Sequence, residues 1–236
     1  FQNYYDGNFI YDYTRNRVNE EDSKSQNLEF STNFTKKFKK DGHKLTVDGS
    51  FSSNTDNNIA LITDSTNNSA IIATDNTFNN QEQSRNLIQT DYVLPIGKNT
   101  QFEAGYQGNF VKNTTDYSVV RNGIPFPQFT NTLEYKEKVN ALYTQFGTKF
   151  NKLSMLYGLR WEDSNIDVNR LATNEFNNKK YNNFFPSAFF TYELSETSDA
   201  SISYSKRIQR PRGRQLNPFN NLSSNVNIFI GNPDLN

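Results

Sequence analysis

The sequence predicts an all-β protein, an antiparallel up-and-down transmembrane β-barrel of which about nine strands are present, and three observations predict it. Apolar and polar residues alternate with period two through most of the chain, the pattern of a sheet with unlike faces. The strand-like segments are joined in turn by tight connections and by long polar stretches. The greasy residues are largely aromatic, 20 Phe and 13 Tyr, and are spread singly through polar sequence. A soluble core is built mostly from Leu, Ile and Val instead.

In chain order, Tyr5, Phe9, Tyr11 and Tyr13 are assigned to one face. Leu28, Phe30 and Phe34 share a face in the next segment, which closes on the tight-turn signal Lys39-Lys40-Asp41-Gly42. Leu45, Val47 and Phe51 then alternate with Lys44, Thr46, Asp48 and Ser50. Residues 54–83 are rich in Asn, Asp, Thr and Ser and read as a long loop, with two short apolar runs at 59–62 and 70–73 that allow a small hairpin of its own. Ile88, Thr90, Tyr92 and Leu94 alternate up to a turn at 95–99, and Phe102, Ala104, Tyr106 and Phe110 follow, opposite Gln101, Glu103, Gln107 and Asn109. Residues 112–133 read as a second long loop. In 135–150 both faces mix apolar and polar residues, so neither is assigned. After a turn at 151–152, Leu153, Met155, Tyr157, Leu159 and Trp161 oppose Ser154, Gly158, Arg160 and Glu162. A third loop is read at 163–180. Phe184, Ala188, Phe190 and Tyr192 lead to a turn at 195–199, and no segment reads as a helix.

The last strand places Ile202, Tyr204 and Ile208 opposite Ser201, Ser203, Ser205 and Arg207, and is expected to end at Arg210-Pro211, because proline supplies no ladder donor. The residues beyond it are expected on the long-loop rim. Short turns near 40, 97, 151 and 196 then gather at one rim and the long loops at the other, as in an outer-membrane barrel. A soluble β-sandwich also alternates, but it does not confine long loops to one end. Lipid forbids an open sheet edge, so the remaining strands are expected outside this chain. Strand 45–53 should pair with 28–36 and 153–163 with 140–150, both antiparallel. Leu45, Val47, Phe51, Phe102, Tyr106, Met155, Tyr157 and Trp161 are expected to face lipid. Thr46, Asp48, Ser50, Gln101, Glu103, Gln107, Asn109, Ser154, Arg160, Glu162, Ser201, Ser203 and Arg207 are expected to line the lumen.

Composition narrows the function. Lys plus Arg balance Asp plus Glu at 25 each, so no net field draws the chain to nucleic acid. The absence of Cys removes disulfides, thiolate zinc sites and thiol catalysis, and the single His43, at a turn, reads as a surface residue. The acidic trio Glu20, Glu21 and Asp22, read as lying in the first loop, lacks the ligand spacing and glycine of a calcium loop and is read as a solvated acidic loop. No nucleophile elbow, phosphate loop or dinucleotide motif is present. The expectation is therefore no enzyme, no cofactor and no metal. No run of about 18 apolar residues is present either, so no transmembrane helix is expected. The chain begins at Phe1 without Met and is read as part of a longer protein, so a missing leader carries no weight.

The densest positive cluster is Arg207, Arg210, Arg212 and Arg214, beside Lys206. One reading is a lumen or rim patch that contacts an anionic ligand or lipopolysaccharide phosphates, since Arg suits bidentate contacts. The other is architectural, with Arg207 paired to lumen carboxylates and the others capping the strand end. Arg160 and Glu162 join this set of contact candidates.

The stretch Tyr204-Ser205-Lys206-Arg207-Ile208-Gln209-Arg210-Pro211, then Leu216-Asn217-Pro218-Phe219, then Gly231-Asn232-Pro233-Asp234-Leu235, resembles the barrel domain of TonB-dependent outer-membrane receptors of the Bacteroidota type. Residues 91–95 through 103–106 and Gly158-Leu159-Arg160-Trp161-Glu162 are similar to it as well. The resemblance implies a barrel of about 22 strands, closed by an N-terminal plug and driven by TonB to import a bulky nutrient such as a siderophore, glycan or peptide. It implies residues 1–236 as one partial barrel domain, with the plug and remaining strands outside it. The partners it implies are outer-membrane lipid and lipopolysaccharide, the plug and TonB, with a surface lipoprotein or other envelope subunits as further candidates. Its recurrence across receptors for many ligands favours the architectural role for the Arg cluster. The alternative function is an accessory or scaffold barrel of a multi-protein outer-membrane complex in a Gram-negative cell.

Substituting Tyr157→Arg is expected to cost roughly 2–4 kcal/mol if the side chain lies near the bilayer midplane. Heat-modifiable migration on gels measures this, and an unchanged folded band would count against a lipid-facing Tyr157.

Overall fold

A computed structural model describes residues 2–67, 70–211, 213–216, 222, 230–232 and 235, with backbone alone at 213 and 214. The elements are β1 (Gln2–Tyr5), β2 (Tyr11–Lys37), β3 (Lys44–Thr66), β4 (Ile71–Ile96), β5 (Thr100–Arg121), β6 (Ile124–Pro125), β7 (Asn131–Phe150), β8 (Leu153–Arg170), β9 (Glu175–Ser195) and β10 (Ser198–Ser205). A 3-10 turn (Pro127–Phe129) and a one-turn helix α1 (Gly213–Leu216) are the helical pieces among the described residues. All ten strands form one antiparallel sheet in chain order, with the short β6 added to β5 off the main path. β1 and β10 do not pair with each other, so the sheet is open.

Tight turns set the hairpins. Gly42, Gly97 and Asn151 take positive φ at three of them, a conformation that glycine and asparagine tolerate best. The registers follow the alternation: Leu28 faces Ser53 and Lys36 faces Leu45, while Asn140 faces Asp163 and Phe150 faces Leu153. A slip of one residue would turn every apolar side chain of a strand to the other face.

The long loops expected at 54–83, 112–133 and 163–180 are strand for most of their length. Asn54 to Thr66 continue β3, and Asp75 to Gln83 pair back along it in β4. Lys112 to Arg121 continue β5, and Ser164 to Arg170 continue β8. The connections are the short segments 67–70, 122–130 and 171–174. The apolar runs at 59–62 and 70–73 therefore belong to the upper β3–β4 hairpin, where Ile59 faces Phe78. Asn, Ser and Thr pair in the ladder here because backbone hydrogen bonds do not depend on the side chain, and two long neighbours hold each strand.

Other expectations are corrected at the start and end of the chain. Phe9 lies in the turn between β1 and β2 with φ 61°, so it shares no strand face with Tyr5, Tyr11 and Tyr13. Glu20, Glu21 and Asp22 lie within β2, not in a loop. β10 stops at Ser205, short of Arg210-Pro211, so Arg207 and Ile208 lie beyond the ladder. The chain then turns back over the sheet. Leu216 is fully buried against Leu133, Tyr135, Ile166 and Val168, with Tyr181 alongside. The described part of this segment covers one face, called the inner face, and does not stay at the rim.

On the opposite, outer face, apolar side chains gather in a band beside the tight turns: Leu28, Phe30 and Phe34 on β2, Leu45, Val47 and Phe51 on β3, Ile88 and Tyr92 on β4, Phe102, Tyr106 and Phe110 on β5. Leu142, Phe146 and Phe150 on β7, Met155, Tyr157 and Trp161 on β8, and Phe184, Phe190 and Tyr192 on β9 continue it. The band is about nine residues tall. At ~3.3 Å per residue and a tilt of about 40° it rises roughly 23 Å, close to the ~25 Å apolar belt of outer-membrane barrels. The strands, up to 27 residues in β2, run far beyond the ~10 residues a crossing needs.

β7 shows why its faces escape the pattern. Beside the tight turn its apolar residues point outward (Leu142, Phe146, Phe150), and farther up they point inward, where Leu133, Tyr135, Val139 and Ala141 are buried. The greasy side changes face midway, so period-two counting over the whole strand averages to nothing.

Cysteines introduced by Phe30→Cys and Phe51→Cys are directly opposite in the β2–β3 ladder, within the Cα separation a disulfide spans. Oxidation is expected to cross-link this pair, and Cys at 30 and 52 to remain free, as read by non-reducing gel shift after cleavage between the strands.

Candidate functional site: the inner wall

The inner face carries two networks of paired charge. The lower one centres on Glu162 of β8. Arg160 Nε donates to its Oε1 at 2.6 Å, and Arg210 Nη2, from the segment after β10, donates to its Oε2 at 2.6 Å. One carboxylate thus ties the returning segment to the wall. Arg160 also donates to Gln107 Oε1 at 2.8 Å and lies over the Tyr143 ring, 5.7 Å from its centroid. Arg210 lies 5.9 Å from the Tyr181 ring centroid.

Tyr143 reaches from β7 across β5 to donate its hydroxyl to Asp91 of β4. It can do so because Gly105 stands directly between them in the ladder. A Cβ at Gly105 would collide with the Tyr143 ring and approach the Thr90 carbonyl oxygen to 2.6 Å. Asp91 also accepts from Gln89 at 2.9 Å. The chain of contacts Asp91–Tyr143–Arg160–Glu162–Arg210 therefore links β4, β7, β8 and the returning segment.

The upper network holds two buried carboxylates. Asp64 of β3 is 2% exposed and accepts from Arg15 Nη2 at 2.6 Å and Arg17 Nη1 at 3.0 Å. Asp75 of β4 is fully buried and takes a bidentate fork from Arg121, at 2.7 and 2.9 Å. Burial of a carboxylate is costly unless it is paired, and here each is matched. These residues lie above the apolar band. Hydrogen bonding to Asp75 holds the Arg121 guanidinium above its ordinary range, and Asp64 does the same for Arg15. Arg121 also stacks over Phe126 in the β5–β7 connection, 4.3 Å to the centroid. Arg17 Nη2 donates to the Leu222 carbonyl at 2.6 Å, and the Leu222 N–H donates to the Tyr117 hydroxyl at 3.2 Å. The returning segment therefore meets both networks. Beside Arg210 and Pro211 it borders a groove of about 550 Å³, lined also by Arg85, Asn109, Tyr135 and Glu137.

Of the contact candidates from sequence, Arg160, Glu162 and Arg210 come together. Arg207 is exposed, outside β10, and makes no ion pair among the described residues, which corrects its expected pairing with lumen carboxylates. Arg212 lies outside the described residues, and Arg214 enters only as backbone of α1. Thr46, Asp48, Ser50, Gln101, Glu103, Gln107, Asn109, Ser154, Ser201 and Ser203 sit on the inner face. His43 stacks on Phe38 at 4.1 Å and hydrogen-bonds the Tyr92 hydroxyl at 2.9 Å, a turn clasp that is half-buried. Arg15, Arg17, Asp64, Asp75, Arg121 and Tyr143 were not legible as a site. Their stretches read as loop or lacked a face, and only Gly105, a glycine inside a strand, signalled a close approach.

Glu162→Gln leaves two guanidinium groups without their carboxylate and is expected to cost about 1–3 kcal/mol. A double-mutant cycle with Arg210→Gln, read from unfolding midpoints in lipid, should give a coupling of roughly 0.5–3 kcal/mol. Simple additivity would show that the Arg210 contact contributes nothing.

Comparison with known proteins places this wall in a family. The crystal structure of the ferric citrate transporter FecA in its unliganded form is similar at a TM-score of 0.43 and 14% identity, over 68% of this chain and 26% of that one. The chain thus spans about a quarter of that protein's length. No curated protein matches the sequence. A family model described as outer membrane protein beta-barrel family matches residues 36–236. With the single up-and-down sheet, the paired inner wall and the outer apolar band, the chain belongs to the outer membrane β-barrel family, and its place is the bacterial outer membrane.

Proposed function

We propose that the chain is part of the wall of a TonB-dependent receptor that imports a bulky nutrient, a siderophore, glycan or peptide, across the outer membrane. The outer band, including Leu45, Val47, Phe51, Phe102, Tyr106, Met155, Tyr157 and Trp161, faces lipid in this reading. The inner face receives a plug domain supplied by the rest of the protein, and ligand passes between plug and wall when TonB pulls. The observation that carries the reading is the inner wall itself. Its polar side chains are arranged as ion pairs and amides from β2 to β8. Such a wall offers a docked domain many hydrogen-bonding partners, and an open non-selective pore has no need of them.

The test is made in cells that carry the full reading frame. Deletion is expected to abolish growth on one bulky nutrient, with restoration by the intact gene only while TonB is active. Retention of growth on every nutrient tried, together with stable co-purification of other envelope proteins, would replace this reading with that of a scaffold barrel.

A further inference from the structure

One apolar run is only half used by the fold. Residues 59–62 read Ile-Ala-Leu-Ile within a stretch rich in Asn, Asp, Thr and Ser. In β3 they alternate between the faces. Ala60 and Ile62 point inward and are buried, while Ile59 and Leu61 point outward and are 50% and 37% exposed. Packing of the inner face accounts for the first pair and leaves the second without a role. Phe78 of β4 stands directly opposite Ile59 on the same outer face, and Val18 of β2 lies diagonally from Leu61; both are exposed. Directly opposed and diagonal side chains of one face are in reach of each other, so the four form one apolar patch across three strands.

Two features separate this patch from the band below it. The first is height. Between Phe51, the top of the band on β3, and Ile59 the outward residues are Ser53, Thr55 and Asn57. Eight residues at ~3.3 Å each, tilted by about 40°, rise roughly 20 Å. The headgroup layer above the hydrocarbon is only about 5–8 Å deep, so the patch stands clear of the bilayer. The second is its border. Glu20 and Asp22 of β2 face Leu61 and Ile59, and Asp116 is the next outward residue below Ser118, the partner of Phe78 on β5. Lys24, opposite Asn57, is the cation at this border. None of these four makes an ion pair among the described residues. Three carboxylates against one ammonium leave the rim acidic.

We infer that Val18, Ile59, Leu61 and Phe78 form the centre of a docking surface for a separate protein, one that presents apolar side chains ringed by Lys or Arg and sits against the outer wall beyond the membrane. The inference goes beyond import and takes from that reading only the lipid-facing band. An apolar centre with a charged rim is the anatomy of a protein interface. A basic border on the partner offsets the repulsion among Glu20, Asp22 and Asp116, and seating it removes the exposed centre from water. Other occupants match less. Hydrocarbon ends well below the patch, and phosphate groups would meet three carboxylates. A plug lies on the inner face. A second copy docked through the same patch would set its acidic rim against this one, since a two-fold contact pairs a surface with itself.

The experiment uses the full-length protein in phosphatidylcholine nanodiscs and three synthetic helices as probes: one with a Leu face and a Lys face, one with Leu and Glu, and one with Ser and Lys. Fluorescence anisotropy, corrected for empty nanodiscs, reads binding. Wild type is expected to bind the Leu/Lys helix at least about tenfold tighter than the other two, and the double variants Ile59→Asn, Phe78→Asn and Glu20→Gln, Asp22→Asn each to lose that preference, as the centre of an interface would. Asn already occupies the outward positions 57 and 80, so the ladder tolerates it, and the heat-modifiable band establishes folding. If the first double variant does not fold, Phe78→Asn alone is expected to weaken binding. Equal binding of the three helices, or binding indifferent to these substitutions, would overturn the surface. In cells, Leu61→p-benzoylphenylalanine is expected to cross-link to one partner through a peptide with more Lys and Arg than Asp and Glu, and Glu20→Lys with Asp22→Lys to abolish the adduct. No adduct, an adduct with lipid or a second copy, or one indifferent to charge reversal would overturn it as well. Neither measurement involves TonB or a nutrient, so failure of the surface and failure of import are read separately. Brominated phosphatidylcholine is expected to quench Trp161, read as the difference from Trp161→Phe, and absence of quenching would remove the lipid-facing band on its own.

Discussion

The constraint behind this architecture is that a backbone N–H or C=O inside a bilayer has no water to bond. Every spanning segment must therefore find its partners in a neighbouring chain segment. For this sequence the neighbour is the preceding or following long strand, with the short β6 off the path, and the requirement fixes more than pairing. It fixes register, because a single slip would carry the outward Phe, Tyr and Trp of each strand to the polar face. It also fixes the turns, where Gly42, Gly97 and Asn151 take the positive φ that lets two strands reverse within a few residues. The side-chain chemistry of the two faces is then free to differ.

That freedom is used unequally along the strands. Beside the tight turns the greasy side is outward and the inner side is polar, with Glu162, Arg160, Tyr143 and Asp91 joined into one network. Higher up, β7 and β8 turn apolar residues inward, and Leu216 of the returning segment buries itself there. The two halves answer to different solvents. In the proposed reading the lower outer face meets hydrocarbon, while the upper inner face meets the returning segment. Glycine at 105 belongs to the same logic, since removing one side chain on β5 lets Tyr143 bridge β7 to β4.

The legibility of the fold in the sequence follows this division. Wherever one face meets an apolar medium and the other a polar one, alternation is strong, and the faces of residues 28–36, 45–53, 102–110 and 153–161 could be read directly. Above the band both faces are polar, as in 54–57 and 112–116, and such sequence looks the same whether it is a loop or a ladder. Only the partner strand, far along the chain, decides. The inner network was half legible. Arg210 stood out within a basic cluster, and Arg160 with Glu162 stood out by alternation, but their convergence depends on the segment after β10 folding back, for which local sequence has no signal. The Arg15, Arg17 and Asp64 cluster was hidden for the same reason, because residue 64 lay in a presumed loop.

The chain-order strand arrangement also has a consequence for how the protein assembles. Each strand of the meander contacts the one made just before it, so the wall can grow hairpin by hairpin with short loop closures and a low entropic barrier at each step. The contacts of the returning segment are of another kind. Arg17 meets Leu222 across 205 residues of chain, and Tyr117 meets Leu222 across 105. They cannot form until β2 through β5 are already in place beside one another. The segment thus docks after these strands, and its seating records that the wall beneath it has been built in the right register.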